Sequence, residues 1–290
     1  FYGWGAWKSF ITSDVVKVVS SYNCGGGGYS CVASLTSAGV AKVFGTYWDY
    51  VSANDPTTAN TFKASINSGV ADIYSSDIGV LFRKQSGSYL DFGVDSSISV
   101  SNASSLLTGG FKSIVSGRVG YTVIQSDNSI VSWGSGSPYS DGGSFSKVVV
   151  VGDTFAGLTS AGAVKNWGAF VDTSAVDSSL TSGVVKLFSN GNAFAALKND
   201  GSVITWGESS LGGDSSSVSS QLASNVSDIT PLDSYGFTAT KADASTVYWG
   251  LGFVHGLKYI GYYVDTTVPV DQLSKVCLLY TSPSPRDLST

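Results

Sequence analysis

The sequence contains no methionine, and three other residue types are scarce: histidine occurs at His255, glutamate at Glu208, and arginine at Arg83, Arg118 and Arg286. With one histidine in the chain, the sequence assigns no Ser-His-Asp set. The net charge is −5 and no basic stripe appears, which argues against nucleic acid as a partner. The longest apolar run, at 148–158, is too short and too polar to span a bilayer, so membrane insertion is not predicted.

Cysteine is scarce as well, at Cys24, Cys31 and Cys277. Cys24 and Cys31 flank "GGGGYS", a corner between two predicted strands, and could close a small loop disulfide. Such a bond is typical of exported proteins, and two free thiols are the alternative. A pair spaced by six residues without a nearby histidine lacks the usual metal-ligand spacing, so neither a metal nor a cofactor is predicted.

The abundant residues are glycine, serine, aspartate and aromatics, and all acidic residues except Glu208 are aspartates. Aspartate favours turns and disfavours helices, because its short side chain competes for backbone hydrogen bonds. No segment shows a sustained apolar period of 3.6 residues. The composition therefore predicts an all-β fold.

A short motif recurs along the chain, and "LKNDGSVITWG" at 197–207 is its clearest copy. An Asp-Gly corner, favourable for a type I′ turn, joins two apolar runs of strand length, and Trp-Gly closes the unit. Aromatic-Gly pairs recur at intervals of 40, 48, 41, 34, 39 and 43 residues, at Trp4-Gly5, Phe44-Gly45, Phe92-Gly93, Trp133-Gly134, Trp167-Gly168, Trp206-Gly207 and Trp249-Gly250. Such a period is typical of solenoids, propellers or arrays.

Each full copy also preserves a turn residue and a preceding strand. The turn residue lies six positions before the glycine of the pair, at Gly39, Gly87, Asn128, Gly162, Gly201 and Ala244. We name the preceding strand A and the two hairpin strands B and C. Strand A is predicted at 15–19, 70–74, 111–115, 145–149, 184–188 and 226–230, with a seventh beginning at 273–276.

Units of three or four antiparallel strands with this period predict a β-propeller of six to seven blades, complete or partial. We expect one domain over 1–276, made of repeats 6–45, 46–93, 94–134, 135–168, 169–207 and 208–250 with a partial repeat at 251–276. The aromatic of each pair would pack between blades, and the glycine would allow close backbone approach. An open β-solenoid of the same units is the alternative.

The segment "SGVVKLFSNGNAFAALKNDGSVITWG" at 182–207 resembles the repeat of the regulator of chromosome condensation superfamily. It is most similar to the bacterial, short-repeat branch, which includes type II β-lactamase inhibitory protein. The likeness covers 1–276, strongest at 111–134, 144–168 and 182–207. It implies a propeller, usually of seven blades, and no single function, because the superfamily includes exchange factors, inhibitors and surface proteins.

Both ends of the chain are irregular. The sequence begins inside a predicted strand C without a methionine, which indicates an internal fragment. The segment "CLLYTSPSPRD" at 277–287 breaks the repeat and resembles a translated sequencing adapter, so we expect 277–290 to be a non-native or unstructured tail. A genuine proline-rich linker is the alternative.

Antiparallel order places the corners between strands A and B, and the segments after each aromatic-Gly pair, on one face of the repeats. This face carries large side chains of the types that anchor interfaces. We expect binding residues at Tyr22, Tyr29, Tyr47, Trp48, Tyr50, Arg118, Tyr139, Phe170 and Tyr235, some of which could instead tuck under their own linkers.

The sequence favours a non-enzymatic, exported or cell-surface protein that binds a protein or glycan through this face. Two alternatives stay open: a polysaccharide hydrolase or lyase that uses aspartates, and a regulator similar to guanine-nucleotide exchange factors. Most aspartates lie at turn positions, where backbone capping already accounts for them.

Overall fold

The computed structural model describes residues 14–24, 28–93, 99–134, 136–168, 173–233 and 235–251. The described chain forms six small antiparallel sheets that follow one another in sequence. Their strands are β1 (Val15–Cys24), β2 (Tyr29–Thr36) and β3 (Ala41–Phe44); β4 (Val70–Ser75), β5 (Val80–Lys84) and β6 (Tyr89–Phe92); β7 (Ser113–Ser116), β8 (Tyr121–Ile124), β9 (Ile130–Gly134) and β10 (Gly136–Asp141); β11 (Phe145–Val151), β12 (Thr154–Thr159) and β13 (Val164–Gly168); β14 (Val184–Ser189), β15 (Ala193–Lys198) and β16 (Val203–Gly207); and β17 (Val226–Leu232), β18 (Gly236–Lys241) and β19 (Thr246–Gly250).

Within each sheet the strands pair in chain order, so strands A, B and C are confirmed in the six described repeats, and β10 adds a fourth strand to the third sheet. The six turn residues between strands B and C all have φ between 66° and 89°. This left-handed conformation is cheapest for glycine and next for asparagine, which explains the preserved residue types. Ala244 adopts it as well, at φ 67°.

In five of the six described aromatic-Gly pairs, the glycine lies where strand C passes close to the start of strand B of the same sheet, whereas the nearest neighbour of Gly93 is the Cys24 sulfur of the first sheet. All six described copies have φ between 88° and 131°. A Cβ on Gly207 would lie 2.7 Å from Ala193 Cα and 2.9 Å from the Asn192 oxygen. Only glycine fits such a contact, which confirms the close approach expected from the repeat.

The cores lie between consecutive sheets. Trp206 stacks on Phe194 of its own sheet with ring centroids 5.1 Å apart, and both pack against Val151, Ala156 and Leu158 of the preceding sheet. Phe237 and Trp249 repeat this arrangement at 5.4 Å one sheet later. In five of the six described copies the aromatic before the glycine packs between sheets as expected, whereas Phe44 is only partly buried. Burial of each such ring contributes about 1.5–3 kcal/mol.

Neighbours in sequence are also neighbours in space. Strand β4 contacts β1 and β2, β11 contacts β7 and β8, β14 contacts β11 and β12, and β17 contacts β14 and β15. Between the second and third sheets, Leu81 packs with Tyr121, whose hydroxyl donates to the Gly79 oxygen at 3.2 Å. Each sheet thus covers one face of the next.

Helices occupy segments where the sequence predicted only linkers or strands. Helix α1 (Thr46–Asn54) and helix α2 (Pro56–Ile66) fill the longest interval between repeats, and α3 (Ser219–Leu222) is a single turn. Asp55 caps α2 by accepting from the Thr58 amide at 3.0 Å, and Pro56 follows at the first helical position. The chain is therefore mostly β, which corrects the expectation of an all-β fold.

A bulge near the start of strand A recurs in five of the six sheets. The pairing register shifts between the first and third positions of the strand, as between Val184 and Lys186. The bulge turns two consecutive side chains outward: Val185 and Lys186 are exposed, whereas Val184 and Leu187 are buried on either side.

Several sequence predictions lie outside the described residues, namely Trp4-Gly5, Phe170, His255, the strand at 273–276 and the tail 277–290. Within the described ranges, no helix has the length and hydropathy of a membrane span.

Candidate functional site

The corners between strands A and B of the first four sheets are joined by backbone hydrogen bonds. The Asn23 amide donates to the Asp77 oxygen at 2.9 Å, and the Asp77 amide donates to the Arg118 oxygen at 2.8 Å. The Arg118 amide then donates to the Gly152 oxygen at 2.8 Å. Consecutive corners therefore lie side by side as one surface, which we call the corner face.

Three side chains meet on this face, and we call Tyr22, Asp77 and Arg118 the corner cluster. The Tyr22 hydroxyl donates to Asp77 Oδ2 at 2.9 Å, and Arg118 Nε lies 3.7 Å from the same oxygen. Tyr22 is 65% exposed and the Arg118 side chain 60%. The hydrogen bond to Asp77, then the Asp77 charge, raises the pKa of Tyr22. At this exposure the ion pair contributes about 0–1 kcal/mol, so the cluster presents side chains without locking them.

Asp153 is a buried residue of the fourth corner, between β11 and β12. It is 3% exposed, and its Oδ1 accepts from the Val119 amide at 2.5 Å, which ties the third corner to the fourth. Burial raises the pKa of the Asp153 carboxyl, and the Asp77 charge adds to the rise, whereas the Val119 amide and Arg118 oppose it. Among the described residues, Asp153 Oδ2 has no hydrogen-bond partner.

A small cavity lies beside Asp153, lined by Tyr139, Trp133, Trp167 and Phe155 among others. Its volume is about 40 Å³. That volume holds a few water molecules at most and is far below the roughly 300–1,000 Å³ of small-molecule pockets. The cavity therefore does not accommodate a sugar ring or a nucleotide.

A second group of aromatic side chains lies where the first sheet meets helix α1, and we call Tyr29, Tyr47 and Tyr50 the tyrosine cluster; Tyr29 and Tyr47 are partly buried. Tyr50 stacks on Tyr29 with centroids 5.5 Å apart and on Tyr47 at 6.3 Å. Helix α1 begins directly after Gly45, at the corner end of strand C, and so carries Tyr47 and Tyr50 to Tyr29 on β2. Tyr50 is half-exposed, so the cluster presents aromatic surface on the same face.

The remaining sequence-predicted residues occupy different environments. Trp48 turns inward against Phe92 with centroids 5.5 Å apart. Tyr139 stacks on Trp167 at 5.6 Å and donates to Asp141 Oδ2 at 3.0 Å. Tyr235 is exposed in the last described corner. The structure thus brings Tyr22 together with Arg118, and Tyr29 with Tyr47 and Tyr50, but gives Trp48 and Tyr139 packing contacts.

A disulfide joins Cys24 and Cys31, with Cα atoms 5.8 Å apart. It ties β1 to β2 directly below the first corner, and both cysteines are fully buried. Gly93 of the next sheet leaves the space in which the Cys24 sulfur lies, because a Cβ there would collide with it. The bond therefore stabilises both the first hairpin and its contact with the second sheet.

Sequence reasoning missed Asp77 and Asp153 because it assigned most aspartates to capping of their own turns. Both residues instead contact the neighbouring corner: Asp77 through its backbone and carboxylate, Asp153 through the Val119 amide. Their shared position, in "SSDIG" and "VGDT" between strands A and B, is the signal that could have identified them. In the described part of the chain, no group of three or more His, Cys, Asp or Glu could hold a metal ion.

No protein-family model matches the chain, and no curated protein sequence matches it significantly. Among solved structures, the WD40 ectodomain of the Arabidopsis thaliana receptor kinase ACR4 is 14% identical over 81% of this chain and 85% of that one, with a TM-score of 0.39. The ectodomain of the Physcomitrella patens receptor kinase CR4 is 13% identical over 61% of this chain and 51% of that one, also at 0.39. Saccharomyces cerevisiae Prp20p, the yeast RCC1, is 13% identical over 62% of this chain and 56% of that one, at 0.36.

These likenesses are low in identity and below a TM-score of 0.5, so they carry no argument about overall architecture or function. The chain spans about half the length of the moss ectodomain.

Proposed function

We propose that the chain is a non-enzymatic binding protein that takes up a partner protein on the corner face, with the corner cluster and tyrosine cluster as contact residues. The observation that carries the proposal is the chain of backbone hydrogen bonds from Asn23 to Gly152, which fixes the corners before any partner arrives. Preorganised surfaces lose less conformational entropy on binding. Exposed tyrosine and arginine are the residue types that contribute most to interface energies.

We further propose that the consecutive sheets curve into a β-propeller rather than an open solenoid. Each sheet is covered by the next along the chain, and radial closure would also cover the outer faces of the first and last. A compact ring of this length has a radius of gyration of about 19 Å. Small-angle X-ray scattering that gives a markedly larger, elongated particle would exclude the ring.

The binding proposal is tested by screening the full chain against purified protein and glycan arrays, then measuring affinity for each ligand found. Arg118→Ala should weaken binding of a protein ligand about tenfold or more, equivalent to about 1.4 kcal/mol. Lys42→Ala is the matched control, because it also removes one exposed cation but lies on strand C near the opposite turns. Equal effects of the two variants would contradict a site on the corner face.

A glycan is the second candidate, and the near-parallel tyrosine rings favour it: Tyr29 and Tyr50 differ by 23°, and Tyr47 and Tyr50 by 21°. A glycan ligand should be lost in Tyr50→Ala and retained in Arg118→Ala, whereas a protein ligand that contacts both clusters should be weakened by each of the two variants. Polysaccharide cleavage by an Asp77–Asp153 pair is disfavoured, because Asp153 is buried beside a cavity too small for a sugar.

We propose export to an oxidising compartment as the setting for this binding. The support is the geometry of Cys24 and Cys31, whose Cα separation of 5.8 Å suits a disulfide without backbone movement.

A further inference from the structure

Two short segments of the chain have the acceptor pattern for N-linked oligosaccharides, which is asparagine, any residue except proline, then serine or threonine. They are "NVS" at 225–227 and "NAS" at 102–104. The pattern is short, so the structure around each copy decides whether it fits an acceptor. An N-linked oligosaccharide is bulky and solubilising, and its asparagine therefore has to lie on the surface.

Asn225 lies between helix α3 and strand β17, where the chain enters the sixth sheet. Its backbone oxygen accepts from the Ala242 amide at 2.9 Å, and the amide of the next residue, Val226, donates to the Gly201 oxygen at 3.0 Å. Its φ is 62°, a left-handed conformation that asparagine tolerates better than most residues with a side chain. The backbone of Asn225 is thus fixed, whereas its side chain is exposed.

The start of β17 presents both side chains that define the pattern. Val226 is 6% exposed and packs in the core between the fifth and sixth sheets, whereas Asn225 and Ser227 on either side of it are exposed. The pairing register shifts directly after Val226, at the bulge of this strand. The Ser227 hydroxyl donates to the Thr240 oxygen at 2.9 Å. The carboxamide and the hydroxyl of the pattern are therefore both at the surface.

The copy at 102–104 has a different environment. Asn102 is exposed as well, but it lies inside a 3-10 helix, Val100–Leu106, and its amide donates to the Ser99 oxygen at 3.0 Å. Residues two positions apart on a helix do not face each other, so the carboxamide and the hydroxyl of this copy diverge. We therefore place the modification at Asn225 and keep Asn102 as the comparison.

We propose that Asn225 is an acceptor site for an N-linked oligosaccharide. The donor is an oligosaccharide joined through pyrophosphate to a membrane lipid. Asn225 Nδ2 forms a bond to the anomeric carbon of the first sugar, the bond from that carbon to the pyrophosphate oxygen breaks, the lipid pyrophosphate leaves, and Nδ2 loses one proton. The inference rests on the export proposed above, because this transfer takes place on the non-cytosolic side of a membrane.

The site lies at the end of the sheets opposite to the corner face. Asn225 directly precedes strand A of the sixth sheet, and its backbone contacts Gly201 and Ala242 lie at turns between strands B and C. Strand A runs from this end toward the corners, so the oligosaccharide would lie away from them. We therefore expect a partner to bind the corner face equally well with and without the modification.

The test is translation of the full chain behind a secretion leader in the presence of eukaryotic microsomes, with peptide mapping of the chains protected inside the lumen. Peptide-N-glycosidase converts a modified asparagine to aspartate, so the two copies are measured separately. We expect conversion at Asn225, its loss in Ser227→Ala, and its retention in Ser227→Thr, which keeps the hydroxyl. Ser224→Ala is the matched control, because it removes a neighbouring exposed hydroxyl outside the pattern and should leave conversion unchanged.

An unmodified Asn225 in the luminal chains would overturn the inference, whether or not Asn102 is modified. Conversion at Asn225 that persists in Ser227→Ala would overturn it as well. The same peptide maps measure the bond between Cys24 and Cys31. Free thiols in the luminal chains would contradict the proposed export and leave the result at Asn225 standing, whereas a bonded pair with an unmodified Asn225 would contradict this inference alone.

Discussion

The substitution Gly207→Ala tests whether close backbone approach requires glycine in the aromatic-Gly pair. Gly207 has φ 114°, outside the region that residues with a side chain adopt readily, and the new Cβ would lie 2.7 Å from Ala193 Cα. Backbone strain of this kind costs about 1–3 kcal/mol. Insertion of a methyl group into close-packed backbone adds about 1–3 kcal/mol. We therefore expect Gly207→Ala to lower the free energy of unfolding by about 2–6 kcal/mol.

Gly191→Ala separates the two contributions. Gly191 also has a positive φ, 91°, but no heavy atom lies within 4 Å of the position of its Cβ. It should therefore show the strain alone, about 1–3 kcal/mol. Urea denaturation monitored by tryptophan fluorescence measures both variants. Equal destabilisation of the two, within about 0.5 kcal/mol, would refute the close approach of strands B and C at Gly207.

Two further changes have effects of predictable sign. Ala244→Gly should raise the free energy of unfolding by about 0.5–1 kcal/mol in the same urea assay. The reason is that removing the backbone strain of an alanine at φ 67° outweighs the added conformational entropy of the unfolded chain. Net destabilisation would show that the turn tolerates a side chain. Replacing Cys24 and Cys31 together by serine should cost about 2–3 kcal/mol, the value for a loop of this size in the chain-entropy model, and an unchanged midpoint would mean that the thiols are not bonded.

The repeat was predictable because it is specified by backbone requirements that appear directly as residue types. The left-handed turn position and the position of close backbone approach each restrict the residue type, and pairs such as Gly201 with Gly207 recur six residues apart in each copy. Residue identity therefore indicates strand boundaries even where strand propensity is weak. The packing of Trp206 and Trp249 between sheets follows from the same pattern.

Helices α1 and α2 were not predictable from apolar periodicity. Helix α1 has no buried residue, and α2 buries Ala59 and Ile66 with Phe62 partly buried between them. These three positions span only two turns, which is too short a stripe to stand out in the sequence. The sequence did contain a capping signal, Asp55-Pro56 followed by Thr58, and the interval of 48 residues showed that this copy is the longest. Local caps were thus more informative here than hydrophobic pattern.

The candidate site was predictable only in part. Exposed residues such as Tyr22 and Arg118 are identifiable by type and by their position at corners. The roles of Asp77 and Asp153 depend on which corners are neighbours in space, and this follows from packing between sheets rather than from spacing along the chain. The bulge that exposes Ser227 beside Asp228 is likewise a consequence of pairing register.

The central claim is that the corners of the first four sheets form one preorganised surface. Amide hydrogen exchange by NMR tests it most directly at Asn23, Asp77 and Arg118, whose N–H groups donate across neighbouring corners at 2.9, 2.8 and 2.8 Å. These three amides should exchange as slowly as those of the central strand β15, although Asn23 lies at the end of β1 and Asp77 and Arg118 lie in loops. Exchange at the rate of unstructured peptide at all three positions would contradict the account.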